Sequence, residues 1–230
     1  MCIRDSLWAS LEKPSKNTNP LSNIHEEVKE YYGSELQTSA DLKTNACCTL
    51  VKPPKHILEA LRMVADEVQA KYYGCGLTIP SAVEGLRILD LGSGSGRDCY
   101  IAGKLVGESG FVVGVDMTDE QLKVANDHIE FHRKAFGYAK SNVEFIKGNI
   151  EKLDELNLEK ESFDIIISNC VINLAADKQK VLDDAYALLK PGGEMYFSDV
   201  YSDRRIPQAL QNDKVLWGEC LSGALYWNDF

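Results

Sequence analysis

From Leu86 onward, short apolar runs alternate with stretches of helical spacing. The runs Leu86–Asp90, Phe111–Asp116, Val143–Lys147, Phe163–Asn169 and Glu194–Asp199 predict five strands. They are almost continuously apolar, as expected of strands buried on both faces, and helical stretches separate them. That alternation predicts an α/β fold with a doubly wound, mostly parallel sheet. Thr118 with Gln121 reads as a capping box opening a helix toward Phe136. Asp177 opens another helix, which stops before Pro191-Gly192-Gly193. Upstream of the sheet the pattern is different. His25–Tyr32 reads as a helix ended by Gly33, and Pro53-Pro54 opens a second. Ile57, Leu58, Leu61, Val64 and Val68 form one apolar face of that second helix. Gly74 and Gly76 flank Cys75 in a loop, and residues 1–23, with no clear period, read as a disordered leader.

Composition narrows the function classes. Apolar residues make up 44% of the 230 and charged residues 26%, the balance of an ordinary globular chain. The net charge of -10 argues against nucleic acid and against an anionic membrane as partners. No run of eighteen apolar residues predicts a membrane-spanning helix. Seven irregularly spaced cysteines, with no secretory signal visible, read as reduced cytoplasmic thiols rather than a disulfide framework. There is no CxxC pair and there are only four histidines, so a zinc site of the usual spacing is not expected.

The sharpest local signal is Asp90-Leu91-Gly92-Ser93-Gly94-Ser95-Gly96, between the first strand and its helix. Gly92, Gly94 and Gly96 allow a sharp turn that brings backbone N–H groups at a helix N-terminus close to a ligand. Asp116 ends the second strand, where a carboxylate can accept from ribose hydroxyls. The spacing is GxGxG, not the dinucleotide GxGxxG, and Arg97 stands where the last glycine would fall. Asp90 is placed to meet a cationic amine, which suits S-adenosylmethionine better than a pyrophosphate.

These residues resemble the first motif of the class I S-adenosylmethionine methyltransferases, which have a Rossmann-like sheet. Asp116 resembles their ribose-binding acid, Asn149-Ile150-Glu151 their adenine-contact segment, and Leu188–Gly193 the turn before their fifth strand. Other segments narrow the match. Tyr31-Tyr32-Gly33, Ser39–Cys47, Tyr72-Tyr73-Gly74-Cys75-Gly76, Ser168–Leu174 and Gly218–Trp227 are similar to the arsenite methyltransferases. The resemblance implies that Cys75, Cys170 and Cys220 bind trivalent arsenic as substrate. It implies that Cys47, or its neighbour Cys48, is a redox partner. It also implies that Tyr73, Asp90, Gly92, Ser93, Gly94, Gly96, Asp116, Met117, Ile150, Glu151 and Asn169 bind S-adenosylmethionine. Arsenite or its thiol conjugates would be the substrate, and reduced glutathione or thioredoxin the reductant. The organisation it implies is an N-terminal helical and loop segment at 24–80, a cofactor-binding domain at 81–200, and the start of a substrate-binding insert at 201–230. Because the family continues past this point with further strands, the C-terminal part is expected to be incomplete.

The residue types agree with that chemistry. Trivalent arsenic is soft and takes thiolate ligands for the reasons other soft ions do. The ligand is the thiolate, not the thiol. Three thiolates leave the arsenic lone pair free to face a methyl group that the cofactor's charge already activates, so no general base is needed. Cys99, inside the first helix after the glycine loop, reads as a core residue, and Cys2 belongs to the leader. Cys170 ends the fourth strand, on the rim where open parallel sheets bind ligands. Three other readings remain open on the residues alone. One is another small-molecule methyltransferase with incidental cysteines, one an arsenic-binding sensor, and one a dehydrogenase; the full glycine loop weighs against the sensor and its spacing against the dehydrogenase.

Overall fold

The computed structural model describes residues 24–44 and 53–229. The leader at 1–23 and the pair Cys47 and Cys48 lie outside the described residues. Five strands, β1 (Arg87–Leu91), β2 (Phe111–Asp116), β3 (Val143–Lys147), β4 (Phe163–Asn169) and β5 (Leu189–Ser198), form one sheet in the order β3-β2-β1-β4-β5. Every pairing is parallel. This is the doubly wound parallel sheet that the alternating pattern predicts.

Alternation along each central strand serves two cores. Ile88, Val112, Ile165 and Ile167 face one side and Leu89, Leu91, Val113 and Ile166 the other. On the first side pack α2 (Lys55–Leu61), α3 (Asp66–Ala70), α4 (Arg97–Val106), α5 (Asp119–Asp127) and α6 (Ile129–Phe136). On the second lie the turn of 3-10 helix at Ile150–Glu155 and α7 (Lys178–Leu188). A third cluster closes the carboxyl edge of the sheet. It joins Ile24 and Val28 of α1 (Ile24–Glu30) to Cys170, Leu174, Val200, Cys220 and Leu221, after α8 (Gln208–Gln211) and α9 (Lys214–Gly218). The N-terminal segment and the segment after β5 therefore meet over the rim.

Five boundaries differ from the pattern. The helix expected to end at Gly33 gives way after Glu30 to a π-helical turn, Tyr31–Glu35, that runs through the glycine. β1 runs one residue later, at Arg87–Leu91. β5 begins at Leu189 rather than Glu194, because the ladder continues through a register shift opposite Phe163 and Ile165. The single helix expected after Pro53-Pro54 is two, broken where the Ala65 N–H donates to His132 Nε2 at 3.2 Å. The helix toward Phe136 also breaks, at His128, and its capping box does not form. Gln121 instead donates from Nε2 to the Tyr32 carbonyl at 3.0 Å, tying α5 to the N-terminal segment. At Ala65 and at Gln121 a tertiary contact takes the place of the local signal.

Burial sets the stability prediction. Ile166 has no exposure and lies in β4, paired with Leu89 on one side and Met195 on the other. Ile166→Ala is expected to cost about 2–5 kcal/mol in urea unfolding, from lost burial plus a cavity. Tyr186→Ser, on an 80% exposed side chain, should change stability by no more than ~0.5 kcal/mol. Equal midpoints for the two variants would contradict the placement of β4 in the core.

Candidate active site

The strand order reverses between β1 and β4, so their carboxyl ends open a crevice. A cleft of about 920 Å³, open solvent included, occupies it. It is walled by the glycine loop, Asp116 to Thr118, Asn149 to Glu151, Asn169 to Val171, and the N-terminal residues Tyr32 and Tyr73.

The loop needs its glycines. Gly92 has φ +74°, and a Cβ there would come within 2.4 Å of Val171 Cγ2. Gly96, at φ +86°, begins α4 and is packed so closely that a Cβ would meet Phe145 at 2.5 Å. Gly96 does not line the cleft; its part is to let the helix start against β3. The Ser93 hydroxyl is buried at the cleft wall with no hydrogen-bond partner. A buried polar atom left in this way suits a ligand that supplies the partner.

Three carboxylates crowd the floor. Asp116 accepts from the Gly94 N–H at 2.9 Å and the Thr118 N–H at 2.8 Å, so it shapes the loop as well as facing the cleft. Asp90 is 3% exposed and accepts from Cys99 Sγ at 3.2 Å. Burial, then the charges of Asp98 and Asp116, push its carboxyl up to about 8. Burial raises Asp98 and Asp116 as well. Asp98 was not anticipated from the sequence. It sits in the first turn of α4, accepts from Asn169 Nδ2 at 2.9 Å, and meets Arg97 at 3.3 Å. The Arg97 guanidinium lies 3.7 Å from the centre of the Tyr72 ring, outside the cleft lining. A floor with more buried acid than base favours a cationic ligand.

The other walls behave differently from one another. Met117 and Ile150 give apolar surface. Glu151 pairs with His25 at 2.8 Å and accepts from the Ala176 and Asp177 N–H groups, so it also links α1 to the segment before α7. Tyr73 packs edge-on against Tyr32, with its hydroxyl pushed up to about 12 by burial first.

The three cysteines converge beside this cleft. Cys170 follows β4, and its N–H donates to the Ser198 carbonyl at 2.7 Å. Cys220 Sγ donates to the Cys170 carbonyl at 2.9 Å, and both residues have left-handed backbone, at φ +58° for Cys170 and +62° for Cys220. The Asp199 carboxylate and the two sulfurs lie within 4.8 Å of one another. Burial first pushes Asp199 up to about 6, against the Asn173 and Val200 N–H groups that favour its charge.

One expectation is corrected here. The thiols were expected reduced, yet Cys75 and Cys170 are joined as a disulfide, with Cα atoms 5.8 Å apart across 95 residues. That separation is within the ordinary range for a disulfide. It arises because the Cys75 loop is drawn onto the end of β4. Cys99 is buried in the core under Asp90, as its position in a helix suggested, but its thiol also contacts that carboxylate.

Glu219 is a further residue the sequence did not single out. Its side chain, with no exposure, accepts from the Tyr31 hydroxyl at 2.7 Å and from the Lys43 and Thr44 N–H groups at 2.6 and 2.7 Å. It fastens the N-terminal segment to the residue beside Cys220. Its adjacency to Cys220 was the only signal available.

The raised Asp90 carboxyl has a pH consequence. An unfolded aspartate titrates near ~3.9. Between that value and about 8 the folded chain keeps a proton that the unfolded chain has released. The contribution of Asp90 to stability is therefore fully present below ~3.9 and is lost as pH rises through the folded value. Without ligand, Asp90→Asn should unfold at higher urea than the parent at pH 8, by at least ~1 kcal/mol, and the two should converge near pH ~4. Identical pH profiles would show that Asp90 does not hold its proton in the folded chain.

With this geometry in view, comparison with known proteins is informative. Residues 82–230 match the family model described as a methyltransferase domain. The chain is 57% identical over 207 residues to an arsenite methyltransferase of Mus musculus and 56% identical over 209 residues to that of Homo sapiens. Each match covers 90% of this chain, against 55% of the mouse protein and 56% of the human one. The chain thus spans a little over half the length of the curated relatives it matches. A crystal structure of an arsenic(III) S-adenosylmethionine methyltransferase from Chlamydomonas reinhardtii superposes with a TM-score of 0.74 at 59% identity. That superposition covers 78% of this chain and 60% of the algal one. The sheet order, the glycine loop and the family match agree: this chain belongs to the methyltransferase domain family.

Proposed function

We propose that this chain carries out S-adenosylmethionine-dependent methylation of trivalent arsenic, with Cys75, Cys170 and Cys220 holding the arsenic. The single observation that supports this most is the meeting of those three cysteines at one end of an acid-floored cleft, although they lie in three separate parts of the sequence. The names of the relatives point the same way.

The cleft fits the cofactor. Asp90 and Asp98 offer acceptors for a cationic amine, and Asp116 offers one toward a ribose. Ser93 offers a hydroxyl with no other partner. Ile150 and Met117 would offer apolar surface to a flat base, and Tyr73 also lines the cleft. S-adenosylmethionine, when bound, supplies a methyl group activated by its sulfonium charge. The task left to the protein is positioning. Thiolates on a common rim would fix arsenic with its lone pair toward that methyl.

The Cys75–Cys170 disulfide must open before three thiolates are available. Reduction adds two electrons and two protons to the pair. A cytoplasmic thiol donor, reduced glutathione or thioredoxin, would supply them, with Cys47 or Cys48 as the relay. Arsenite then exchanges its hydroxyls for thiolates, and each thiol proton leaves with a hydroxyl as water. Among the described residues no helix is long and apolar enough to cross a membrane.

The test is incubation with methyl-labelled S-adenosylmethionine, arsenite and a thiol reductant, followed by speciation of the arsenic. Methylated arsenic should carry the label. Cys170→Ser and Cys220→Ser should each lower the rate at least ~hundredfold, since a hydroxyl is a harder and largely protonated ligand. Cys99→Ser should stay within ~tenfold, because a hydroxyl still donates to Asp90. Label in another small molecule but not in arsenic would favour the reading in which the cysteines are incidental. Full activity in C170S would remove the three-thiol assignment.

A further inference from the structure

Asn169 lines the cleft and was expected to touch the cofactor, but its amide faces the protein on every side. Its Oδ1 accepts from the N–H groups of Cys75 and Gly76, each at 3.0 Å. Those two donors fix which end of the amide is oxygen. Its Nδ2 lies 2.6 Å from the Tyr72 hydroxyl, 2.9 Å from the Gly76 carbonyl and 2.9 Å from Asp98 Oδ2. Two N–H bonds thus meet three acceptors, and no donor is left for a ligand.

The loop is shaped to receive this amide. A Cβ on Gly74 would stand 2.8 Å from Asn169 Cγ and 2.2 Å from the Tyr72 hydroxyl. A Cβ on Gly76 would stand 2.1 Å from Ser198 Oγ. Glycine on both sides of Cys75 lets the loop backbone lie against the ends of β4 and β5. Asn169 therefore holds Cys75 from one side while its own peptide bond carries Cys170 on the other.

We propose that Asn169 is a positioning residue for the Cys75 and Cys170 sulfurs, holding the Cys75 loop at the end of β4 whether or not a disulfide joins them. It presents the two sulfurs as a preformed pair and anchors that pair to Asp98 on the cleft floor. The inference rests on the reading of Cys75 and Cys170 as one thiol site, and it does not depend on arsenic.

The experiment is a thiol–disulfide equilibrium on the whole chain with the glutathione couple, in the absence of arsenite and cofactor. One glutathione disulfide oxidises the Cys75 and Cys170 thiols to their disulfide, and the two electrons and two protons leave in two reduced glutathiones. The oxidised fraction of each cysteine is read by alkylation and peptide mass spectrometry. Asn169→Ala should lower the equilibrium constant at least ~tenfold, because ring closure then has to order a released loop. Asn169→Asp, which keeps the acceptor for the Cys75 and Gly76 N–H groups and loses the donors, should lie between it and the parent. In calorimetry S-adenosylmethionine affinity should fall in N169A by a smaller factor than the thiol–disulfide equilibrium constant, since Asn169 reaches the cleft floor only through Asp98. An equilibrium constant equal to the parent's in both variants would overturn the proposal. So would a loss of cofactor affinity of ~tenfold or more with the equilibrium unmoved, which would return Asn169 to direct cofactor contact. If N169A does not stay folded, N169D decides on the same two readouts. Failure of arsenic methylation itself would leave both readouts where they are, so the two proposals fail separately.

Discussion

The reversal of strand order between β1 and β4 is the constraint on which the rest of this molecule depends. A parallel sheet sends each connection back over one face, and connections leaving β1 and β4 go to opposite faces. The gap between them is left open by both sets of helices, and the cleft occupies it. The glycine loop leaves β1 into that gap, and Asn169 and Cys170 leave β4 beside it. Cleft and thiols are neighbours because these two strands are neighbours, paired from Ile88 with Ile165 to Leu91 with Ser168.

Buried acids and buried sulfurs are gathered there. Asp90, Asp98 and Asp116 are held under the loop with Arg97 as the nearby cation, and the cost appears as carboxyls raised above their ordinary range. The sulfurs are enclosed by the third apolar cluster, under α1 and α9. The buried acids lower the stability of the chain. A cation answers the acids, and a soft electrophile answers the thiols. Glu219 and Asn169 show how the enclosure is held. Each precedes a cysteine in sequence, and each grips the backbone of a distant segment, Lys43 and Thr44 in one case and Cys75 and Gly76 in the other.

Much of this was legible from the amino-acid sequence, and the exceptions have physical causes. Three of the five strands match their predicted limits; in β2 and β4 the largely apolar runs are buried, while β3, at the sheet edge, is only partly so. The start of β5 was missed because Pro191, Gly192 and Gly193 read locally as a turn, whereas the ladder with β4 carries the chain through it. The break at Ala65 coincides with a contact from His132 of α6, which no local pattern encodes. The glycine loop and Asp116 were found from spacing alone. Asp98 and Glu219 were not, since a lone acid on a helix reads as solvated until burial reveals it. The meeting of Cys75, Cys170 and Cys220 came from family resemblance, because residues this far apart share no spacing rule. The disulfide between two of them was not foreseen, as seven irregularly spaced cysteines read as reduced thiols.

X-ray absorption at the arsenic edge tests the central claim most directly. The whole chain would be reduced, loaded with one equivalent of arsenite and freed of small thiols before measurement. Three sulfur neighbours at a single distance and no oxygen neighbour are expected, with one sulfur replaced by oxygen in Cys220→Ser. A first shell that contains oxygen in the parent chain, unchanged by that substitution, would contradict the account.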